Sequence, residues 1–246
     1  MWYYMRIGIL SDIHSNYTAL RAVTRQINRE SIDQLVCLGD IIGYGPRPEK
    51  CCSWVRKNVS ITVQGNHDAA VCNTVNRKKF NRVAEEALSW TCKHMSKKNR
   101  QFLASLPLIA TDLGVTFVHA SPVAPERFTY IISASDAGKQ FDFCKTALNF
   151  FGHTHHQEVF VQDREGMVSR HAQSAFTISS GKKYLVNPGS VGQPRDGIPK
   201  AAYAVYDTNA QKLRLKRVPY PIEVVQRRLR RAHLPQELAV KLMTGT

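Results

Sequence analysis

The chain contains no apolar run long enough to cross a bilayer, no Cys-x-x-Cys pair, no internal repeat and no low-complexity stretch. The first absence excludes a membrane-spanning helix. Met1–Leu10 is apolar but short and has no basic leader, so it reads as neither signal peptide nor anchor, with Met1–Tyr4 a loose extension. Six cysteines, two of them adjacent at Cys51 and Cys52, make a poor disulfide framework and point to reduced thiols in a cytoplasmic protein. Acidic residues are also scarce, 19 against 34 Lys and Arg, giving a net charge of +15 over 246 residues.

That excess is concentrated. Residues 77–100 carry +6 and residues 211–246 carry +7, whereas residues 101–210 sum to zero. The basic segments 77–100 and 211–231 suit an anionic partner, a phosphorylated small molecule or a nucleic acid. Read as plain structure, Arg227–Arg231 is a solvated helix face.

Hydrophobic patterning predicts an α/β fold. Arg6–Ser11, Gln34–Leu38 and Ile61–Val63 read as buried strands. A helix capped by Ser15 and a helix over Glu49–Lys57 lie between them. Asn81–Leu106 reads as one long helix or a broken pair. The second half is mainly strands: Val115–His119, Ala147–Phe151, Glu158–Val161, Lys183–Val186, Ala201–Tyr206 and Lys212–Arg217. Two mixed sheets packed face to face with helices outside, a four-layer α-β-β-α sandwich, accommodate both halves. The expected organisation is one domain over 1–246, with a core at 5–218 and a C-terminal helical appendage at 221–244.

The ionisable residues fall at the ends of these strands. Asp12 and His14 follow the first, Asp40 the second, and Asn66, His67 and Asp68 the third; His119 ends another, and His153 and His155 follow Phe-Phe-Gly. Ligands of open α/β sheets bind at such carboxyl ends. Asp12, His14, Asp40, Asn66, His119, His153 and His155 supply imidazole nitrogens and hard oxygens without a thiolate. This mixture suits Mn²⁺, Fe, Ni²⁺ or Zn²⁺ rather than Ca²⁺ or a structural zinc. Seven donors exceed the needs of one ion, and a shared carboxylate lets two divalent ions sit roughly 4 Å apart.

Asp12-x-His14, Gly39-Asp40, Gly65-Asn66-His67-Asp68, His119 and Gly152-His153-x-His155 together resemble the signature of the calcineurin-like metallophosphoesterases. Asn187-Pro-Gly-Ser-Val-Gly-Gln-Pro-Arg-Asp196 is similar to a bacterial subgroup related to diadenosine tetraphosphatases. The resemblance implies the two-sheet fold and a binuclear centre: Asp12, His14 and His155 on one ion, Asn66, His119 and His153 on the other, Asp40 bridging. It further implies that a hydroxide between the ions attacks phosphorus, that His67 protonates the leaving group, and that Asp68 orients His67.

The chain departs from the protein serine/threonine phosphatase branch. Where that branch has Gly-Asp-x-x-Asp-Arg-Gly, this chain has Gly39-Asp40-Ile-Ile-Gly43-Tyr44-Gly45, and Gln64 replaces an Arg before Gly65. Another group must grip the phosphate. Arg195 is the candidate, with Asn16 and Asn187 as polar lining. The expected activity is hydrolysis of phosphodiesters. A small-metabolite or nucleotide phosphomonoesterase, a nuclease-like enzyme and a non-catalytic metal-binding module stay open as alternatives.

Overall fold

The computed structural model describes residues 4–246, so Met1–Tyr3 of the expected N-terminal extension lie outside the described residues. Strand β1 (Arg6–Leu10) shows how local sequence sets the layers. Ile7 and Ile9 face one way, into a core shared with Phe117, Phe150, Val159 and Val186, while Leu10 joins a second core with Leu20, Val23 and Tyr203. Alternate side chains of a strand point to opposite faces, and a strand covered on both sides reads as one apolar run. Strands β2 (Gln34–Cys37) and β3 (Ile61–Thr62) continue in parallel.

Helices α1 (Tyr17–Ile27) and α2 (Pro48–Asn58) make the two crossovers. The cap of α1 is Asn16 rather than Ser15: the Asn16 carboxamide oxygen accepts from the Ala19 amide at 3.0 Å. The Asn81–Leu106 stretch is a broken pair, α4 (Arg82–Lys93) and α5 (Lys97–Ala104), because Ser96 starts a new helix by accepting from the Asn99 amide. Before it lies the short α3 (Asn66–Val71).

The remaining strands are β4 (Ile109–Asp112), β5 (Val115–Val118), β6 (Leu148–Phe150), β7 (Gln157–Gln162), β8 (Val168–His171), β9 (Ala175–Thr177), β10 (Lys183–Pro188), β11 (Ala201–Asp207) and β12 (Lys212–Val218). Helix α6 (Ala134–Phe141) precedes β6, and α7 (Ile222–Arg231) and α8 (Gln236–Thr244) follow β12. Among the described residues these form two six-stranded mixed sheets, in orders β3-β2-β1-β11-β12-β9 and β4-β5-β6-β10-β7-β8. The inter-sheet core lies between them. Helices α1, α2, α4, α5, α7 and α8 cover the first sheet, and α6 packs on the second through Ala137 and Phe141.

Two expectations need correction. The C-terminal helices are no appendage, since Val225, Leu229, Leu238 and Leu242 are buried in the same core as Leu20 and Tyr203. Strands β4, β8 and β9 and helices α3 and α6 went unanticipated, because β4 and β8 are part-exposed sheet edges and β9 and α3 are very short.

The carboxyl ends of β1, β2 and β3 in one sheet meet those of β5 and β6 in the other, and the connecting loops run close together. At Gly39, φ is +91°, and an added Cβ would stand 2.5 Å from the Gly65 amide nitrogen. Gly114, in the β4–β5 turn, has φ +73° but open space around it. Gly39→Ala is therefore expected to cost roughly 3 kcal/mol, left-handed strain plus a backbone clash, and Gly114→Ala about 1 kcal/mol. Denaturant unfolding of the two variants checks the difference.

Candidate metal centre

The loops after β1, β2, β3, β5 and β6 bring the seven expected donors into one cluster, buried except for the half-buried Asn66. Each carboxylate is held by one oxygen and presents the other. Asp12 Oδ2 accepts from Ser11 Oγ at 2.6 Å and from the His153 amide at 3.1 Å. Its Oδ1 has no hydrogen-bond donor assigned and lies 3.2 Å from His155 Nε2 and 3.8 Å from His14 Nε2. Asp40 Oδ1 accepts from the His67 amide at 2.9 Å, leaving Oδ2 at 3.5 Å from both His14 Nε2 and His119 Nε2.

Three rings are aimed by backbone carbonyls. Nδ1 of His14, His119 and His155 donates to the carbonyls of Ile42 (3.1 Å), Leu38 (2.7 Å) and Gln193 (2.5 Å), so Nε2 of each faces the cluster. His14 Nε2 and His155 Nε2 stand 3.1 Å apart, and Asn66 Oδ1 lies 3.2 Å from His119 Nε2. With Nδ1 as donor, a neutral imidazole has only a lone pair on Nε2, and two facing lone pairs repel unless something positive sits between them. His153 completes the group, with a donor atom within 4.8 Å of those of Asp40 and His119. Convergent lone pairs, an orphan carboxylate oxygen and a hard-oxygen and imidazole donor set fit a divalent ion.

Protonation follows the same charges. Burial pushes His14 well below the usual imidazole range, although Asp40 pulls the other way. Burial, assisted by His119, takes His153 down to about 3. Burial also opposes charge on His119, but the Asp40 carboxylate overrides it and lifts the ring to about 9. Burial works to raise both carboxyls, yet His155 keeps Asp12, and His119 keeps Asp40, below the ordinary carboxylate range. A proton on His119 answers part of the buried negative charge. A divalent cation answers it more fully and uses the lone pairs that burial keeps bare on His14 and His153.

The other expected site residues divide. His67 is buried, with Nε2 4.0 Å from Asp40 Oδ2 and Nδ1, which has no hydrogen-bond partner among the described residues, against Gly43. Asp68 does not orient that ring. Its carboxylate accepts from the amides of Ile41 and Gly65, both at 3.1 Å, and so ties the Asp40 loop to the Asn66 loop. Arg195 reaches the groove beside the cluster, with Nη2 3.3 Å from Tyr44 Oη.

Asn16 and Asn187, expected as polar lining, spend their carboxamides on the surrounding loops. Asn16 spends its carboxamide on the α1 cap and on the Gly192 carbonyl (2.9 Å). Asn187 donates to the Gly152 carbonyl and Thr154 Oγ1, both at 2.9 Å, and accepts from the Gly189 amide, bracing the His153–His155 loop. The arginines of α7 form no ion pair among the described residues, and Arg228 donates to Thr18 Oγ1 at 2.7 Å.

A groove of about 700 Å³ opens from the cluster, lined by His67, His153, His155 and Arg195 and walled by Tyr44, Phe80, Phe128 and Tyr130. The aromatic wall was missed in the sequence, where only the Gly43-Tyr44-Gly45 bracket marks it. Tyr130 stacks on His153 with ring centroids 4.0 Å apart.

Two mixed sheets whose strand ends gather His, Asp and Asn around a divalent-ion site define a metallophosphoesterase, and residues 5–211 match the calcineurin-like phosphoesterase superfamily domain. The chain belongs to that superfamily and is a phosphoric ester hydrolase, in a family that uses divalent metals. It is 38% identical over 248 residues to an uncharacterised protein of Methanocaldococcus jannaschii, covering 97% of this chain and 98% of that one. Among solved structures it is similar to a metallophosphoesterase from Sphaerobacter thermophilus (39% identity, TM-score 0.88, 99% and 100% of the two chains). It also shares its fold with a hypothetical protein from Pyrococcus horikoshii (20% identity, TM-score 0.79, 98% of each chain). Among the described residues no helix is long and apolar enough to cross a membrane.

Two measurements test this description. A divalent ion at a hundred times its Kd is expected to raise Tm by about 5–10 °C, with reversal by chelator and a much smaller rise in Asp12→Ala. The second concerns Glu158, which receives Thr154 Oγ1 at 3.4 Å behind the His153–His155 loop. Burial raises this carboxyl to about 7, against the pull of Arg170. Because the folded state holds the proton more tightly, its contribution is full below about pH 4.5 and is lost as pH rises toward 7. Relative to Glu158→Gln, the wild type is expected to lose stability across that window and to run parallel above it.

Proposed function

We propose that the chain is a metal-dependent phosphodiesterase that acts on phosphomonoesters less well. One observation carries the diester reading. Of the groove's arginines, Arg82 and Arg127 lie beside glutamates at its exposed rim, which leaves Arg195 as the guanidinium beside the cluster, its amide donating to the His155 carbonyl at 3.4 Å. A single guanidinium at phosphorus suits the one charge of a diester better than the two of a terminal phosphate.

The position of Asp40 Oδ2, 3.5 Å from His14 Nε2 and from His119 Nε2, supports a binuclear centre. In that reading Asp12, His14 and His155 would hold one ion, Asn66, His119 and His153 the other, with Asp40 shared between them. Mn²⁺, Fe, Ni²⁺ and Zn²⁺ all suit the donors. Bound ions lower the pKa of water and neutralise charge on phosphoryl oxygens. Arg195 holds a phosphoryl oxygen, and Nε2 of His67 delivers the proton that the leaving oxygen needs. All six cysteines are free, which supports a reducing compartment such as the cytoplasm.

With Mn²⁺ bound, kcat/KM for a bis-aryl phosphate is expected to exceed that for the aryl monoester at least about tenfold. His67→Ala should lower kcat by roughly 10²–10⁴ without lowering metal content, and Arg195→Ala should act mainly on KM. A preference for the monoester would overturn the diester reading. Loss of metal from His67→Ala would make His67 a ligand instead of an acid.

A further inference from the structure

The Gly43-Tyr44-Gly45 turn stands where the related phosphatase branch carries an Asp, and its geometry is costly. Tyr44 has φ +50°, a left-handed conformation that a bulky side chain rarely adopts. Both neighbours must be glycine. A Cβ on Gly43 would fall 2.4 Å from His67 Nδ1, and one on Gly45 would fall 2.3 Å from the His14 carbonyl oxygen. The turn is thus wedged between two residues of the site and presents one side chain to them.

That side chain is held on three sides. The Tyr44 ring packs on His14 (centroids 4.7 Å apart) and on His67 (4.6 Å), and the Arg195 guanidinium carbon lies 5.8 Å from its centroid. Arg195 Nη2 donates to Tyr44 Oη at 3.3 Å. This bond occupies a lone pair of the phenol oxygen and leaves the O–H hydrogen free. Tyr44 Oη makes no other hydrogen bond among the described residues, although Tyr44 lines the groove with Asp40, His67, His153 and His155. Arg195 is in no ion pair among the described residues and spends one of its five N–H groups on this phenol. Strained backbone at a functional site is retained where the presented group is used.

We infer that Tyr44 is a substrate-binding residue: its hydroxyl donates to a phosphoryl oxygen while its lone pair receives Arg195, so that the two side chains grip the phosphoryl group as one unit. Beside any bound ions, this pair adds one guanidinium and one neutral donor to the phosphoryl group, which deepens the phosphodiesterase reading and rests on it.

The test is a double-mutant cycle on the Mn²⁺-loaded protein with Tyr44→Phe, Arg195→Ala and the double variant. Its readouts are kcat and KM for a bis-aryl phosphate and its monoester, the inhibition constant of inorganic phosphate, metal content and Tm. Tyr44→Phe keeps the ring and its packing, so metal content and Tm should hold. Its kcat/KM for the diester should fall roughly ten- to a hundredfold, the range for a hydrogen bond to a charged group. Inorganic phosphate should bind more weakly to both single variants, and the double variant should lose little beyond Arg195→Ala alone. Wild-type kcat/KM in Tyr44→Phe, losses that multiply in the double variant, or a loss that disappears once activity is normalised to metal content would overturn the assignment. If the wild type turned over neither ester, the phosphodiesterase reading would fall by itself, and weakened phosphate inhibition or binding would still decide the role of Tyr44.

Discussion

Two buried carboxylates and a ring of imidazoles whose bare nitrogens face inward cannot coexist without positive charge among them. Everything else at the centre of this molecule follows from that electrostatic demand. The carbonyls of Leu38, Ile42 and Gln193 take the Nδ1 hydrogens of His119, His14 and His155, and backbone amides take one oxygen of each carboxylate. What remains free points to one place. The orientations of these three rings are thereby set by the chain itself, so most of the donors are organised before any ion arrives.

The backbone bears the cost of this arrangement. Asp12, His14, Asp40, His153 and His155 all have positive φ, between 45° and 67°. Such a conformation costs a side-chain-bearing residue about 1–2 kcal/mol. Five occurrences among seven candidate donors do not arise from packing convenience. The strands end in abrupt left-handed turns because a chain leaving a strand along its own axis would carry the next side chain past the centre. Around these turns Asn16, Asp68 and Asn187 use their polar atoms as internal braces. They hold the loops, which explains why a polar residue next to a site need not face a ligand.

The layered fold and the donor set were legible because their signals are local. Apolar runs punctuated by Asp-x-His, Gly-Asp and Gly-His-x-His announce strands that end in chemistry. What stayed hidden depends on contacts between distant segments. Asn16 and Asp68 read as polar lining or helper until their partners at Gly192 and Ile41 are seen. Residues 221–244 read as an appendage, since amphipathic helices at a chain end do not reveal what they pack on. The edges β4 and β8 lack the continuous burial that makes a strand visible, and the aromatic wall around the groove draws Tyr44, Phe80, Phe128 and Tyr130 from four separate stretches.

The centre takes Asp12, His14, Asp40 and Asn66 from the carboxyl ends of strands in one sheet and His119, His153 and His155 from those in the other, so it lies along the seam where the two sheets meet. An ion held there would pin both slabs of the sandwich through side chains as far apart as 143 positions in the chain, from Asp12 to His155. It acts as a rivet. Chelation should therefore loosen the seam first and leave each slab's own hydrogen-bonded ladder in place, so that the earliest amides to lose protection mark the boundary between halves instead of the outer strands.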